Sequence, residues 1–174
     1  MFIKQLHTIV ENALYAIEWD SEDVDCLSLF IDKMTDAQYL RSYFKENEAR
    51  LAYFQQTRNI KEAVIATIEE AELLAEELYA VAQSGKQYRS GQHLSILFEP
   101  LVNNIGTIDF GPSKAKGHKY HSPWLRLYAI KLDQNEYVIT GGGIKLVPRM
   151  EDDPDLKNEL EKLQIAESYF SDDL

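Results

Sequence analysis

Residues 124–146 constrain this chain most. Trp124 to Leu132 (WLRLYAIKL) and Glu136 to Leu146 (EYVITGGGIKL) are β-rich runs separated by Asp133, Gln134 and Asn135. Three polar residues between two such runs predict an antiparallel hairpin with its turn at Asp133 to Asn135. Both runs are apolar on both faces, which predicts central strands covered by helices on one side and by a loop or partner on the other. Gly141 to Gly143 interrupts the second run, and glycines inside a strand mark a bulge or a close approach of another backbone. The triplet is no phosphate loop, because Ile144, Lys145 and Leu146 continue it as strand rather than as a helix start.

The rest of the chain reads mainly as helix. Asn12 to Trp19 (NALYAIEW) is a short aromatic strand stopped by the acidic run Asp20 to Asp25, and its sheet partners must be far away in sequence. Leu27, Phe30 and Ile31 recur at helical spacing within Cys26 to Met34, and Thr35 with Gln38 reads as a capping box for a second helix to about Arg50. Asn59 and Glu62 repeat that signal before a long amphipathic helix whose apolar face is Ile60, Val64, Ile68, Ala71, Leu74, Leu78 and Val81, stopped at Gly85. Its opposite face carries Glu69, Glu70, Glu72, Glu76 and Glu77, a pattern read as a solvated face. Leu94, Leu97, Phe98 and Leu101 predict a short helix ended near Pro100, and Asn103 to Pro123 reads as a long irregular loop. Leu156, Leu160, Leu163 and Ala166 predict a terminal helix after Asp153.

Charge narrows the function classes. The 174 residues carry 18 Lys and Arg against 29 Asp and Glu, a formal charge of -11, which argues against indiscriminate nucleic-acid binding. Between Lys114 and Arg149, however, seven basic residues meet two acidic ones, so this stretch is +5 and the remainder -16. Such asymmetry points to a local polyanion or acidic-partner surface, or else to lysines that keep strand edges soluble and pair with acidic helices. Cys26 is the sole cysteine, so no intramolecular disulfide is available. No apolar run approaches the length of a membrane span and the start lacks the apolar stretch of a signal peptide; the expectation is a soluble cytoplasmic protein.

Few residues offer chemistry. No GxSxG occurs, and Cys26 lies in an apolar helical stretch where an inert buried thiol is expected. His118 and His121 are three apart, yet no third ligand is near in sequence, so neither metal nor cofactor is expected. The basic set remains. Metal-free RNA cleavage needs a group to deprotonate the 2′-hydroxyl, cations for the charge growing on the phosphate, and an acid for the leaving 5′-oxygen. Arg126, Lys145, Arg149 and His121 have that chemistry as candidate catalytic residues, with Lys114, Lys116, Lys119 and His118 as candidate RNA contacts. By strand alternation Arg126 shares a face with Tyr128 and Ile130, so its charge must reach a rim or find a partner, for which a glutamate of the long helix is the competing choice.

The loop KAKGHKYHSP, the strand WLRLYAIKL, the strand EYVITGGGIKL, the basic PRM and the leucine-rich helix together resemble the C-terminal part of RelE/ParE-superfamily toxins, particularly the HigB and phage Gp49-like branch. The resemblance covers about residues 94–170. Arg126 matches that branch's strand arginine and Lys145 the lysine after its second strand; the chain departs in its acidic charge, its extra helical segment, its glycine triplet and Leu146 after Lys145. The resemblance implies ribosome-dependent cleavage of messenger RNA without metal, and a cognate antitoxin protein as partner.

The expected fold is thus a single α+β domain over 1–174, with a helical segment over about 26–102, a small antiparallel sheet around the 124–146 hairpin and a terminal helix over 154–170. The expected function is that of a toxin-like component of a toxin-antitoxin module acting on messenger RNA at the ribosome. Two other readings stand beside it: a non-catalytic accessory module with an acidic helical surface, and a small-molecule binder built on the glycine-interrupted strand.

Overall fold

The computed structural model describes residues 1–54, 59–87, 93–102, 105–109 and 124–171. Its strands are β1 (Ile3–Val10), β2 (Leu14–Trp19), β3 (Glu99–Val102), β4 (Ile105–Asp109), β5 (Leu125–Asp133) and β6 (Glu136–Ile144); its helices are α1 (Cys26–Met34), α2 (Ala37–Glu46), α3 (Glu48–Phe54), α4 (Ile60–Gln87) and α5 (Pro154–Ser171). The strands form one sheet in the order β1-β2-β6-β5-β4-β3. This is an α+β fold, and the hairpin β5–β6 is its centre. The sheet is mixed rather than antiparallel throughout, because β2 joins β6 in parallel through Leu14↔Tyr137, Tyr15↔Val138 and Ala16↔Ile139. One partner of β2 is local, since β1 directly before it pairs with it antiparallel; the other is reached across α1 to α4, and that crossover leaves β2 on the far edge of β6, running the same way.

The hairpin turn is tighter than its sequence implied. Asp133 pairs with Glu136, so only Gln134 and Asn135 form the loop. Asn135 then ties the turn to its surroundings: its Oδ1 accepts from the Leu94 amide at 2.8 Å and its Nδ2 donates to the Ala82 carbonyl at 3.1 Å. The same side chain fills the space where a Cβ on Gly85 would sit, and α4 runs through Gly85 to Gln87 instead of stopping there. Asn135→Ala leaves a donor and an acceptor without their partner and is expected to cost about 1–2 kcal/mol, read as a lower urea midpoint with an unchanged m-value.

Helix ends follow from local capping. Asp25 accepts from the Ser28 amide to start α1, and Asn59 and Glu62 bond reciprocally at the start of α4. Asp36, not Thr35, caps α2, accepting from the Gln38 and Tyr39 amides; the Thr35 hydroxyl instead donates back to the Ile31 carbonyl and closes α1. Within α4 the buried stripe runs Ala63, Thr67, Glu70, Leu74, Leu78 and Val81. Glu70 is therefore not part of a solvated face: at 1% exposure it lies on the core side, three residues from Thr67 and four from Leu74.

Two segments differ from expectation. The helical segment read over 26–102 gives way to a single 3₁₀ turn at Leu94–Ile96 and then to β3, and part of the expected loop 103–123 is β4, paired with β5 from Ile105↔Ile130 to Asp109↔Arg126. Pro100 reads as a helix stop in sequence, yet β3 is an edge strand, where a missing N–H is tolerated. β1 is the opposite edge and largely exposed, so it carries almost no apolar periodicity.

The glycine triplet shows how the layers pack. Thr140 is an extra residue between Ile139, paired with Ala129, and Gly141, paired with Tyr128, which makes a bulge. A Cβ on Gly142 would lie 2.7 Å from the Phe30 ring of α1, whereas on Gly141 it would run into the Glu159 carboxylate of α5, and on Gly143 it would face Leu156 of α5 at 3.8 Å. Alternate glycines thus meet different helices, so α1 and α5 cover opposite faces of β6. Trp124, fully buried just before β5, ties that end of the sheet to two helices: its ring lies edge-on to Phe44 of α2 at 5.5 Å and its Nε1 donates to the Thr67 hydroxyl of α4 at 2.9 Å.

Candidate functional site

Three residues of the basic set lie among the described residues. Arg126 stands directly opposite Gly143, and the Lys145 amide donates to the Trp124 carbonyl at 2.7 Å, which extends the same ladder one step past β6. Residues 143 and 145 therefore point to the face that Arg126 occupies, and Arg126 and Lys145 are diagonal neighbours across a residue with no side chain. Both are half-buried at the end of the sheet, and the Arg126 Nη1 donates to the Leu125 carbonyl at 2.8 Å. Arg149 lies beyond them in the segment leading to α5, 76% exposed at its side chain, with its guanidinium 3.3 Å from Asp152. Its acidic partner is thus a neighbour in sequence. His118, His121, Lys114, Lys116 and Lys119 lie outside the described residues.

A second constellation, which sequence reasoning did not single out except for its glycines, surrounds the point where β2 and β6 part. Cys26 Sγ donates to the Ile139 carbonyl and Trp19 Nε1 to the Thr140 carbonyl, covering the β6 edge up to the bulge. Beyond it a cleft of about 270 Å³ opens over Gly141–Gly143, walled by Lys33 of α1, Tyr39 and Tyr43 of α2, and Asp155, Glu159 and Lys162 of α5. Lys162 is nearly buried, donates to Glu159 Oε1 at 3.2 Å and stands 5.8 Å over the Trp19 ring. Glu159 Oε2 is buried with no hydrogen-bond partner. The signal for these residues was present: Glu159 falls within the Leu156, Leu160, Leu163 stripe of α5, where an acidic side chain is out of pattern.

Titration separates the candidates. Burial pushes the Cys26 thiol far up, so it stays protonated and inert as a nucleophile. Burial likewise raises the Glu159 carboxyl, opposed by Lys162 and Lys33. A folded-state pKa above the unfolded one means stability that is full below the unfolded carboxylate range and is lost as pH rises through the folded value. Glu159→Gln, which cannot ionise, is expected to remove that decline, read as a flatter stability–pH curve just above the ordinary carboxylate range in urea titrations. Glu18, whose pKa is lowered by hydrogen bonds from Lys4 and His7, acts in the opposite sense: its contribution is lost on acidification.

Among the described residues there is no group of three or more His, Cys, Asp or Glu side chains arranged to hold a metal ion, and no helix long and apolar enough to cross a membrane. No protein-family model, curated protein or solved structure matches the chain.

Proposed function

We propose that this protein is toxin-like and RNA-directed, acting on messenger RNA at the ribosome by metal-free endonucleolytic cleavage and restrained by a cognate antitoxin protein. The observation that carries the reading is the pair of cations flanking Gly143: a guanidinium and an ammonium on adjacent strands, with bare backbone between them, suit a phosphate whose charge grows during cleavage. The resemblance of residues 94–170 to the HigB and phage Gp49-like branch supports it independently. Arg126 and Lys145 hold the scissile phosphate in this reading, Arg149 contributes positive charge from the rim, and His121 handles a proton, with Lys114, Lys116, Lys119 and His118 on the flanking RNA. The work is done in the cytoplasm, where ribosomes are.

The charge of the chain sets the conditions. With -16 outside the basic stretch, free RNA is repelled by most of the surface, so affinity for naked RNA should be weak and should fall further with salt. Cleavage then depends on a docked assembly that presents the message. Induced expression without a partner is expected to stop translation, and purified protein is expected to cut message in a reconstituted ribosomal system but not in buffer. Efficient cutting of naked RNA would contradict the mechanism; absence of arrest and of cleavage would favour the non-catalytic accessory module with its acidic α4 surface.

A further inference from the structure

The cleft at the parting of β2 and β6 has the makings of a small-molecule site, and it shares Gly143 with the RNA-directed reading but is not lined by Arg126 or Lys145. Ligands of open sheets containing parallel strands gather at the carboxyl ends of those strands, where diverging chains leave backbone groups unpaired. Here the β2–β6 pairing ends at Ala16↔Ile139, and among the described residues no strand pairs with the β6 edge beyond the bulge on that side. Because the Lys145 amide points to β5, alternation of an antiparallel ladder turns the Gly142 and Ile144 amides the other way, into the cleft. The Tyr43 hydroxyl, 3.5 Å from the Ile144 carbonyl, lies on that side.

The surrounding charges are of both signs. Asp155, Glu159 and Lys162 fall at i, i+4 and i+7 on one face of α5, and Lys33 faces them from α1, close enough to act on the same Glu159 carboxyl as Lys162 does. Lys162 donates to Glu159 Oε1 while Glu159 Oε2 stays without a partner, and Lys33 stands as an exposed cation and Asp155 as an exposed anion at the two walls. A simple cation or a simple anion would match one wall only. A molecule with both charges a few bonds apart matches both, and its backbone-like groups suit a strand edge made of glycine. The volume of about 270 Å³ gives room for a small amino acid.

We propose that this cleft binds a small free α-amino acid, its carboxylate held by Lys33 and the Gly142 amide and its ammonium by Asp155. The proposal does not depend on RNA cleavage, and its test uses none.

Isothermal titration and saturation-transfer NMR on the full chain, with glycine, alanine, serine, threonine, valine and aspartate as probes and propionate and n-propylammonium as single-charge controls, read the site directly. At least one amino acid is expected to bind about tenfold more tightly than either control. Lys33→Met and Asp155→Asn are each expected to weaken that binding about tenfold or more. Both side chains are exposed, so the thermal midpoint should move little. No saturation by any probe at about 10 mM would overturn the proposal. So would propionate binding as tightly as the best amino acid, which would make the cleft an anion site, or full affinity in both variants, which would move the ligand elsewhere.

Discussion

Arg126→Ala and Lys145→Ala are each expected to lower ribosome-dependent cleavage on the order of a hundredfold or more, and to relieve translation arrest in cells. The magnitude follows from what a donor aimed at a developing charge supplies: its interaction strengthens as the phosphate becomes more negative, so its loss raises the barrier rather than merely weakening binding. The two residues are diagonal neighbours on one face with Gly143 between them, so they are expected to act on one phosphate. Acting as a unit, they should be non-additive, the double variant falling little below the worse single one. Arg149→Ala should do less, since its guanidinium is exposed and already near Asp152. Circular dichroism and the thermal midpoint separate loss of chemistry from loss of fold. Arrest that persists in both single variants would implicate a different site.

What was legible in the sequence divides along burial. The hairpin, the strand before Trp19, the long helix and the terminal helix announce themselves because each buries a patterned face: Leu125, Leu127, Val138 and Ile139 are all fully buried. β1 and β3 are edge strands, β1 is largely exposed, and Pro100 in β3 imitates a helix stop. The parallel joining of β2 to β6 was hidden for a different reason. It rests on three residue pairs more than 120 positions apart, and no local pattern records it. The basic set was visible by composition alone, yet composition could not show that Arg126 and Lys145 share a face while Arg149 turns to Asp152. The cleft was half visible: its glycines stood out, but its walls come from α1, α2 and α5, which only the fold brings together.

Those glycines yield the sharpest test of the architecture, because three identical neighbours are expected to respond differently. Gly142→Ala should destabilise by about 3 kcal/mol, since its Cβ would stand 2.5 Å from the Arg126 carbonyl oxygen and 2.7 Å from the Phe30 ring, and neither a paired backbone nor a core ring yields cheaply. Gly141→Ala should also destabilise, for a separate reason: its φ of +155° is a setting that L side chains rarely adopt, and the Glu159 carboxylate occupies the space. At Gly143 the nearest atom, in Leu156, is 3.8 Å away and the backbone is ordinary, so alanine should be neutral or stabilising by about 0.5 kcal/mol through the restricted unfolded chain. Urea unfolding of the three variants measures the contrast. Equal losses at 142 and 143 would mean that the triplet serves strand flexibility in general, and that α1 and α5 do not press on alternate residues of β6. A large loss at 142 with none at 143 leaves Gly143→Ala folded and suited to a second use. Its added methyl lies between Arg126 and Lys145, so under the RNA-directed reading cleavage should fall while stability holds.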